Sequence, residues 1–227
     1  MRAMTVNHSH EASEQSRRES QGEIRVERRS VARGRLVLRI AKLVCGPGEY
    51  PCVLRDVSLT GAGLTFFHNV PPDARAILQL SNGHTFPVER VWSGAGRAGY
   101  RFACPVAEED FIADDARFGH RPLRLSIRAA ARLVDGCEAD RARLVDLSAE
   151  GARVECARSC APGRVVSLAI AGQDPRLAEV RWNEEGALGL RFFEPMTSGE
   201  LAALALALQP FDARADGQAG NTATRAA

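Results

Sequence analysis

The sequence predicts an all-β protein, with two small six-stranded antiparallel β-barrels in tandem and a short C-terminal helix. Three observations carry this: an internal repeat, short alternating apolar stretches split by turn residues, and a single Ala/Leu run of helical character. The repeat is read by setting Asp56-Val-Ser58-Leu-Thr-Gly61-Ala62 beside Asp146-Leu-Ser148-Ala-Glu-Gly151-Ala152. Val91-Trp92, Gly99 and Arg101-Phe102 likewise match Arg181-Trp182, Gly189 and Arg191-Phe192. Leu43-Val44 pairs with Leu133-Val134, and Pro72 with Pro162. All of these matches share one ungapped offset of 90 residues, which two homologous domains explain. A unit of that size is small for a sandwich and comfortable for a six-stranded barrel.

Along the chain, residues 1–23 are polar and are expected to be a disordered tail. The first domain is assigned to residues 24–114. Its Leu36, Leu38 and Ile40 alternate with Val37 and Arg39, as a strand packed mainly on one face would. Ala76, Leu78 and Leu80 do the same, and Ser81-Asn82-Gly83-His84 supplies an Asn-Gly hairpin signal. Glu108 to Phe118 is acidic and mixed, consistent with a short helix plus linker. The second domain is assigned to residues 115–209, with Val166, Leu168 and Ile170 repeating the strand pattern up to Gly172. Ser198-Gly-Glu200 followed by Leu201 to Leu208 reads as a capped terminal helix, stopped by Pro210. Residues 210–227 are expected to be a second disordered tail.

Composition narrows the function classes. Acids and bases nearly cancel, for a formal net charge of +2, which argues against binding a nucleic-acid polymer by blanket positive charge. Almost every base is arginine, with Lys42 the lone lysine, so bidentate contacts to anions and guanines are available. No apolar run reaches the roughly 18 residues of a membrane span, and the N-terminal stretch has no apolar signal core. These features predict a cytoplasmic protein that does not insert into a membrane. Its six cysteines are then expected as reduced thiols, read as small buried apolar residues. Cys156 and Cys160 lack partners at zinc spacing, so neither a metal nor a cofactor is expected. The five histidines are scattered and form no catalytic arrangement, so the chain is not expected to be an enzyme.

Two short segments carry chemistry. Glu27-Arg28-Arg29-Ser30-Val31-Ala32-Arg33 precedes the first strand, and Arg29 and Arg33 share a face in either an extended or a helical segment. Paired guanidinium forks can grip a phosphate and the O6/N7 edge of a guanine; a solvated basic patch is the plainer reading. Asp56-x-Ser58-x-x-Gly61 is a strand entering a turn. Its carboxylate accepts hydrogen bonds only, which suits the N–H donors of a guanine edge. Ser58 adds a hydroxyl, and Gly61 permits a tight turn and close ligand approach. The plainer reading here is a turn closed by its own backbone bonds.

Taken together, R-x-x-x-R followed by D-x-S-x-x-G resembles the ligand signature of the PilZ family. Trp92 and the later Gly99-Tyr100-Arg101-Phe102 resemble that family's closing hairpin. The resemblance runs over residues 24–208, taken twice, and implies barrels that bind cyclic di-GMP. It implies that Arg29 and Arg33 hold phosphate and guanine, that Asp56 and Ser58 hydrogen-bond the base beside Gly61, and that Arg28 stacks on a second ligand. The function expected is a second-messenger sensor that passes the signal to a separate, unidentified protein. The alternative is a PilZ-like adaptor that binds protein only.

The second unit keeps Asp146, Ser148 and Gly151, but offset 90 carries Arg29 and Arg33 onto Gly119 and Leu123. A one-residue slip gives His120 and Arg124, and losing one bidentate arginine contact costs about 1–3 kcal/mol. The second copy is therefore expected to bind weakly or not at all. Gly94-Ala-Gly96-Arg-Ala-Gly99 matches a dinucleotide fingerprint, yet a strand follows it where that motif needs a helix. It reads as a hairpin loop.

Overall fold

A computed structural model of the chain describes residues 35–111 and 122–211, all within one compact unit. The expected N-terminal tail, Arg28, Arg29 and Arg33, the stretch 112–121 and residues 212–227 lie outside the described residues. Pro210 and Phe211, expected in the C-terminal tail, lie inside them, and the Phe211 ring packs edge-on against Tyr50 at 5.0 Å between centroids.

The all-β expectation holds. Strands β1 (Arg35–Cys45), β2 (Gly48–Ser58), β3 (Gly61–Phe66), β4 (Arg75–Leu80), β5 (Thr85–Gly94) and β6 (Arg97–Phe102) close a barrel in the order β1-β2-β3-β6-β5-β4. The second barrel repeats this plan with β8 (Ala129–Asp135), β9 (Glu138–Ser148), β10 (Gly151–Cys156), β11 (Val165–Ile170), β12 (Arg176–Glu184) and β13 (Ala187–Phe192). Pairing of β8 with β11 and of β9 with β10 closes it, and the two-residue β7 (Arg124–Leu125) adds to the rim of β9. Every pairing is antiparallel, and closure leaves each barrel without the free edges that invite strand addition.

Each barrel has its own core. Leu43, Leu54, Val57, Leu64 and Leu78 are buried in the first, and Leu133, Leu144, Leu147, Val154 and Leu168 are their offset-90 counterparts in the second. The helix α1 (Ser198–Leu208) packs Leu201, Leu204 and Ala205 into the second core. Its N-cap is Thr197, one residue before the expected Ser198. The Thr197 hydroxyl accepts from the Glu200 N–H while the Glu200 carboxylate accepts from the Thr197 N–H, a capping box.

Two sequence expectations are corrected. Leu36 and Leu38 are 68% and 65% exposed and Ile40 is exposed too; the core side of β1 begins at Ala41 and Leu43. A register shift between Leu36 and Arg39 breaks the simple alternation on which that expectation rested. Of the cysteines, Cys52, Cys156 and Cys160 are buried, but Cys104 and Cys137 are exposed. The short helix expected from Glu108 is the 3₁₀ turn Glu108–Phe111, with Phe111 fully buried in the first barrel; residues 112–118 lie outside the described residues.

Lys42 is not a surface residue. It is 7% exposed, on β1, and its ammonium donates to the Glu49 carboxylate at 2.6 Å and to the Arg124 carbonyl at 2.8 Å. Glu49 also accepts from the Ser126 N–H at 2.8 Å. Gln209, at the end of α1, donates to the Glu49 carbonyl and accepts from its N–H, while the Tyr50 hydroxyl donates to the Gln209 carbonyl. Lys42 and Glu49 thus tie the first barrel to the start of the second, and the Glu49 backbone with the Tyr50 hydroxyl ties it to the end of α1.

Candidate functional site

In β2 the core residues Leu54 and Val57 are three apart, not two. The extra residue is taken up by a β-bulge: Leu54 pairs with Leu64 and Asp56 with Gly63, leaving Arg55 unopposed. A bulge re-aims the side chain next to it. Here it turns Asp56 outward, where an unbroken alternation would have pointed it into the core. The second barrel repeats the device, with Leu144 opposite Val154 and Asp146 opposite Arg153. A second bulge precedes each tryptophan, between Arg90 and Trp92 and between Val180 and Trp182.

These bulges align a row across the outer wall of the first barrel. Leu36 stands opposite Asp56, Asp56 opposite Gly63, Gly63 opposite Gly99, and Gly99 opposite Trp92. The row is about 14 Å long at the usual strand spacing, and its two glycines leave room for the carboxylate and the indole to lie across the wall. Neither glycine tolerates a side chain. A Cβ on Gly63 would lie 2.6 Å from an Asp56 carboxylate oxygen, and one on Gly99 would lie 2.0 Å from the Trp92 indole nitrogen. Trp92 is 54% exposed, and among the described residues the Asp56 carboxylate has no hydrogen-bond partner.

Ser58 and Gly61 have local work. The Ser58 hydroxyl donates to the Gly61 carbonyl at 3.2 Å, closing the β2–β3 turn. A Cβ on Gly61 would come within 2.5 Å of the Tyr100 carbonyl, so glycine is required for β6 to approach. Ser148 and Gly151 repeat both features, at 3.1 Å and 2.1 Å from their counterparts. Ser58 and Gly61 thus have a structural part in the turn, and among the described residues the Asp56 carboxylate has no hydrogen-bond partner.

The second barrel's row differs at two places. Asp146 pairs with Arg124 at 2.9 Å, and Arg153 stands where Gly63 does and lies over the Trp182 ring at 5.9 Å. Its wall is covered by its own arginines. The Gly94–Gly99 segment is the β5–β6 hairpin as expected, with Ala95 and Gly96 in the left-handed region at φ of 49° and 72°. Among the described residues no cluster of histidine, cysteine and carboxylate is arranged to hold a metal ion. No described helix is long and apolar enough to cross a membrane.

A family model for the PilZ domain matches residues 115–208. Residues 115–208 are a PilZ domain. The match covers the second barrel and begins two residues ahead of Arg117-Phe-Gly-His-Arg121, a second R-x-x-x-R that the offset of 90 passes over because it sits two residues upstream of that register. The second barrel thus has both sequence elements, with its arginine pair set two residues further upstream than in the first. Arg117 and Arg121, like Arg29 and Arg33, lie outside the described residues.

Among solved structures the chain is similar to PlzA of Borreliella burgdorferi in complex with c-di-GMP, at 15% identity over 76% of this chain and 88% of that one, with a TM-score of 0.33. It is similar to the inhibitor of motility MotI/DgrA of Bacillus subtilis, at 12% identity over 77% and 97%, with a TM-score of 0.33. YcgR of Escherichia coli in complex with c-di-GMP matches at 13% identity over 73% and 80%, with a TM-score of 0.31. Likenesses this distant say nothing of what this chain binds. No curated protein matches it in sequence.

Proposed function

We propose that the chain is a cytoplasmic cyclic di-GMP receptor, not an enzyme, whose first barrel is the tighter site and which relays the signal to a partner protein. The observation that carries the proposal is the Asp56–Gly63–Gly99–Trp92 row: a carboxylate lying over one glycine and an exposed indole lying over the next, side by side on the outer wall. A guanine needs that combination. Its Watson–Crick edge offers N–H donors to Asp56, and its flat face stacks on an indole such as that of Trp92. The chain enters this wall at β1, with Leu36 opposite Asp56, and Arg28, Arg29 and Arg33 stand just upstream in sequence. Those guanidinium groups supply the charge the two phosphates need.

The second barrel is read as a weaker site of the same kind. The family match and Arg117-x-x-x-Arg121 favour binding there. The Arg124–Asp146 pair must first open. Arg124 is 60% exposed, so screening limits that cost to about 1 kcal/mol, roughly fivefold in affinity.

Calorimetric titration with cyclic di-GMP, GMP and ATP tests the proposal. The expected result is binding at micromolar concentrations by the cyclic dinucleotide alone. Absence of heat with cyclic di-GMP, at concentrations where the protein remains folded, would leave the protein-only adaptor as the better reading.

A further inference from the structure

The two barrels differ again at one end. In the first, Phe111 stacks on Phe86 at 4.5 Å between ring centres and packs against Phe102 at 5.5 Å, sealing the barrel beside the β4–β5 hairpin. In the second, Phe102 has its counterpart in Phe192, but Phe86 is replaced by Arg176, opposite Leu168 as Phe86 is opposite Leu78. The aromatic plug is gone, and a cavity of about 590 Å³ opens between β11, β12, the end of β13 and α1. Its floor is apolar, from Leu168, Ile170, Phe192, Met196 and Leu204.

The rim has a definite character. Leu177 and Phe193 are 60% and 54% exposed there. Large apolar side chains held in water beside an apolar hollow mark a binding surface more often than a solvent face. Asp174, Glu194 and Glu200 line the same opening. Arg176 is the cation among them and is engaged by Glu200 at 3.4 Å. Asp174 and Glu194 have no ion-pair partner among the described residues, so the opening has an excess of negative charge. The floor is also continuous with the D-x-S-x-x-G turn: the Met196 N–H donates to the Ala149 carbonyl and the Phe192 N–H to the Glu150 carbonyl, both at 2.8 Å.

We propose that this cavity is a docking groove for a segment of a partner protein that presents bulky apolar anchors flanked by basic residues. Apolar anchors fill the floor left open by the Phe86-to-Arg176 exchange and cover Leu177 and Phe193, while lysines or arginines meet Asp174 and Glu194. The charge sets orientation and partner choice; the apolar burial supplies most of the affinity. The docking inference stands apart from the ligand proposal, because none of the groove's lining residues belongs to the Asp56–Trp92 row.

The test uses the full chain and two fluorescein-labelled amphipathic peptides, both with leucines on one helical face, one flanked by arginines and the other by glutamates. Fluorescence anisotropy should show the arginine peptide binding at least tenfold more tightly. Exchanging both free carboxylates, Asp174→Lys with Glu194→Lys, should invert that preference. Ala203→Arg, at an exposed helix position on the groove, should abolish binding without unfolding the barrel. Equal binding of the two peptides, a preference that survives the charge exchange, or no effect of Ala203→Arg would overturn the proposal. Sedimentation showing a dimer that Ala203→Arg dissociates would assign the groove to a second copy of the chain and would overturn it too.

Discussion

The two barrels share strand order, bulges, turn serines and tryptophans at a constant offset, yet they differ in what they show to their surroundings. Lys42 is buried at the junction, whereas its counterpart Arg132 is exposed. Gly63 leaves Asp56 free, whereas Arg153 covers Trp182 and Asp146 is paired with Arg124. Phe86 seals one barrel end, whereas Arg176 leaves the other open. The shared positions are the ones a closed six-stranded barrel needs. Divergence is concentrated on the outer walls and ends, where an exchange changes what can bind without disturbing the core.

The largest effect expected from this contrast is on stability. Lys42→Met removes the cation from a pair whose side chains are 9% and 15% exposed, and strands the Glu49 charge at the junction. Breaking such a pair should cost about 3 kcal/mol. Arg132→Met, at the same strand position of the other barrel, should stay within about 0.5 kcal/mol. Urea unfolding of both variants checks this, and equal losses would mean the junction does not depend on the lysine.

Exchanging the wall residues should move binding between the barrels. Gly63→Arg brings the second barrel's residue to the first; its Cβ alone collides with Asp56. Cyclic di-GMP affinity at the tighter site should fall at least about tenfold, the loss expected when one base contact of 1–3 kcal/mol is removed. Arg153→Gly should strengthen the weaker site by a few-fold. Isothermal titration resolves both changes, and a Gly63→Arg protein that binds as wild type would remove the wall from the account.

How much of this was legible in the sequence divides along physical lines. The repeat, the barrel class, the hairpins and the terminal helix were legible because they depend on local patterns: period-2 alternation, Asn-Gly and Ala-Gly turns, a capped Ala/Leu run. Leu36, Leu38 and Ile40 follow the same period but sit outside the core, because alternation identifies a face and not the side it turns to. The bulges escaped notice, though the three-residue spacing of Leu54 and Val57, repeated at Leu144 and Leu147, is their signal. The row from Asp56 to Trp92 depends on four strands in register, which spacing along one chain does not contain. Arg117 and Arg121 were missed for a simpler reason: an ungapped offset cannot follow a two-residue shift in the segment before the barrel.

A smaller contrast separates the barrels in acid. His68 packs between the rings of Tyr50, Phe66 and Phe211, and burial holds its imidazole below the usual 6.5, opposed by a bond from Nδ1 to the Asn69 carbonyl. Its counterpart Arg158 is charged at any ordinary pH and is paired with Asp140 and Glu138. The folded state resists a proton that the unfolded chain accepts near 6.5, so this stability is complete above that pH and is lost as the pH falls below it. Thermal melts between about pH 7.5 and 5.5 should show a falling midpoint that His68→Phe flattens. An unchanged slope in that variant would show that the histidine is not the titrating group.

The most direct test of the central claim sets the two motif carboxylates against each other in calorimetric titrations with cyclic di-GMP. Asp56→Ala should weaken the tighter binding step at least about tenfold, because the carboxylate acceptor for the guanine N–H groups is gone. Asp146→Ala should leave that step unchanged and remove only a weaker one. The reverse result, with the tight step lost in Asp146→Ala and intact in Asp56→Ala, would contradict the account and move the principal site to the second barrel.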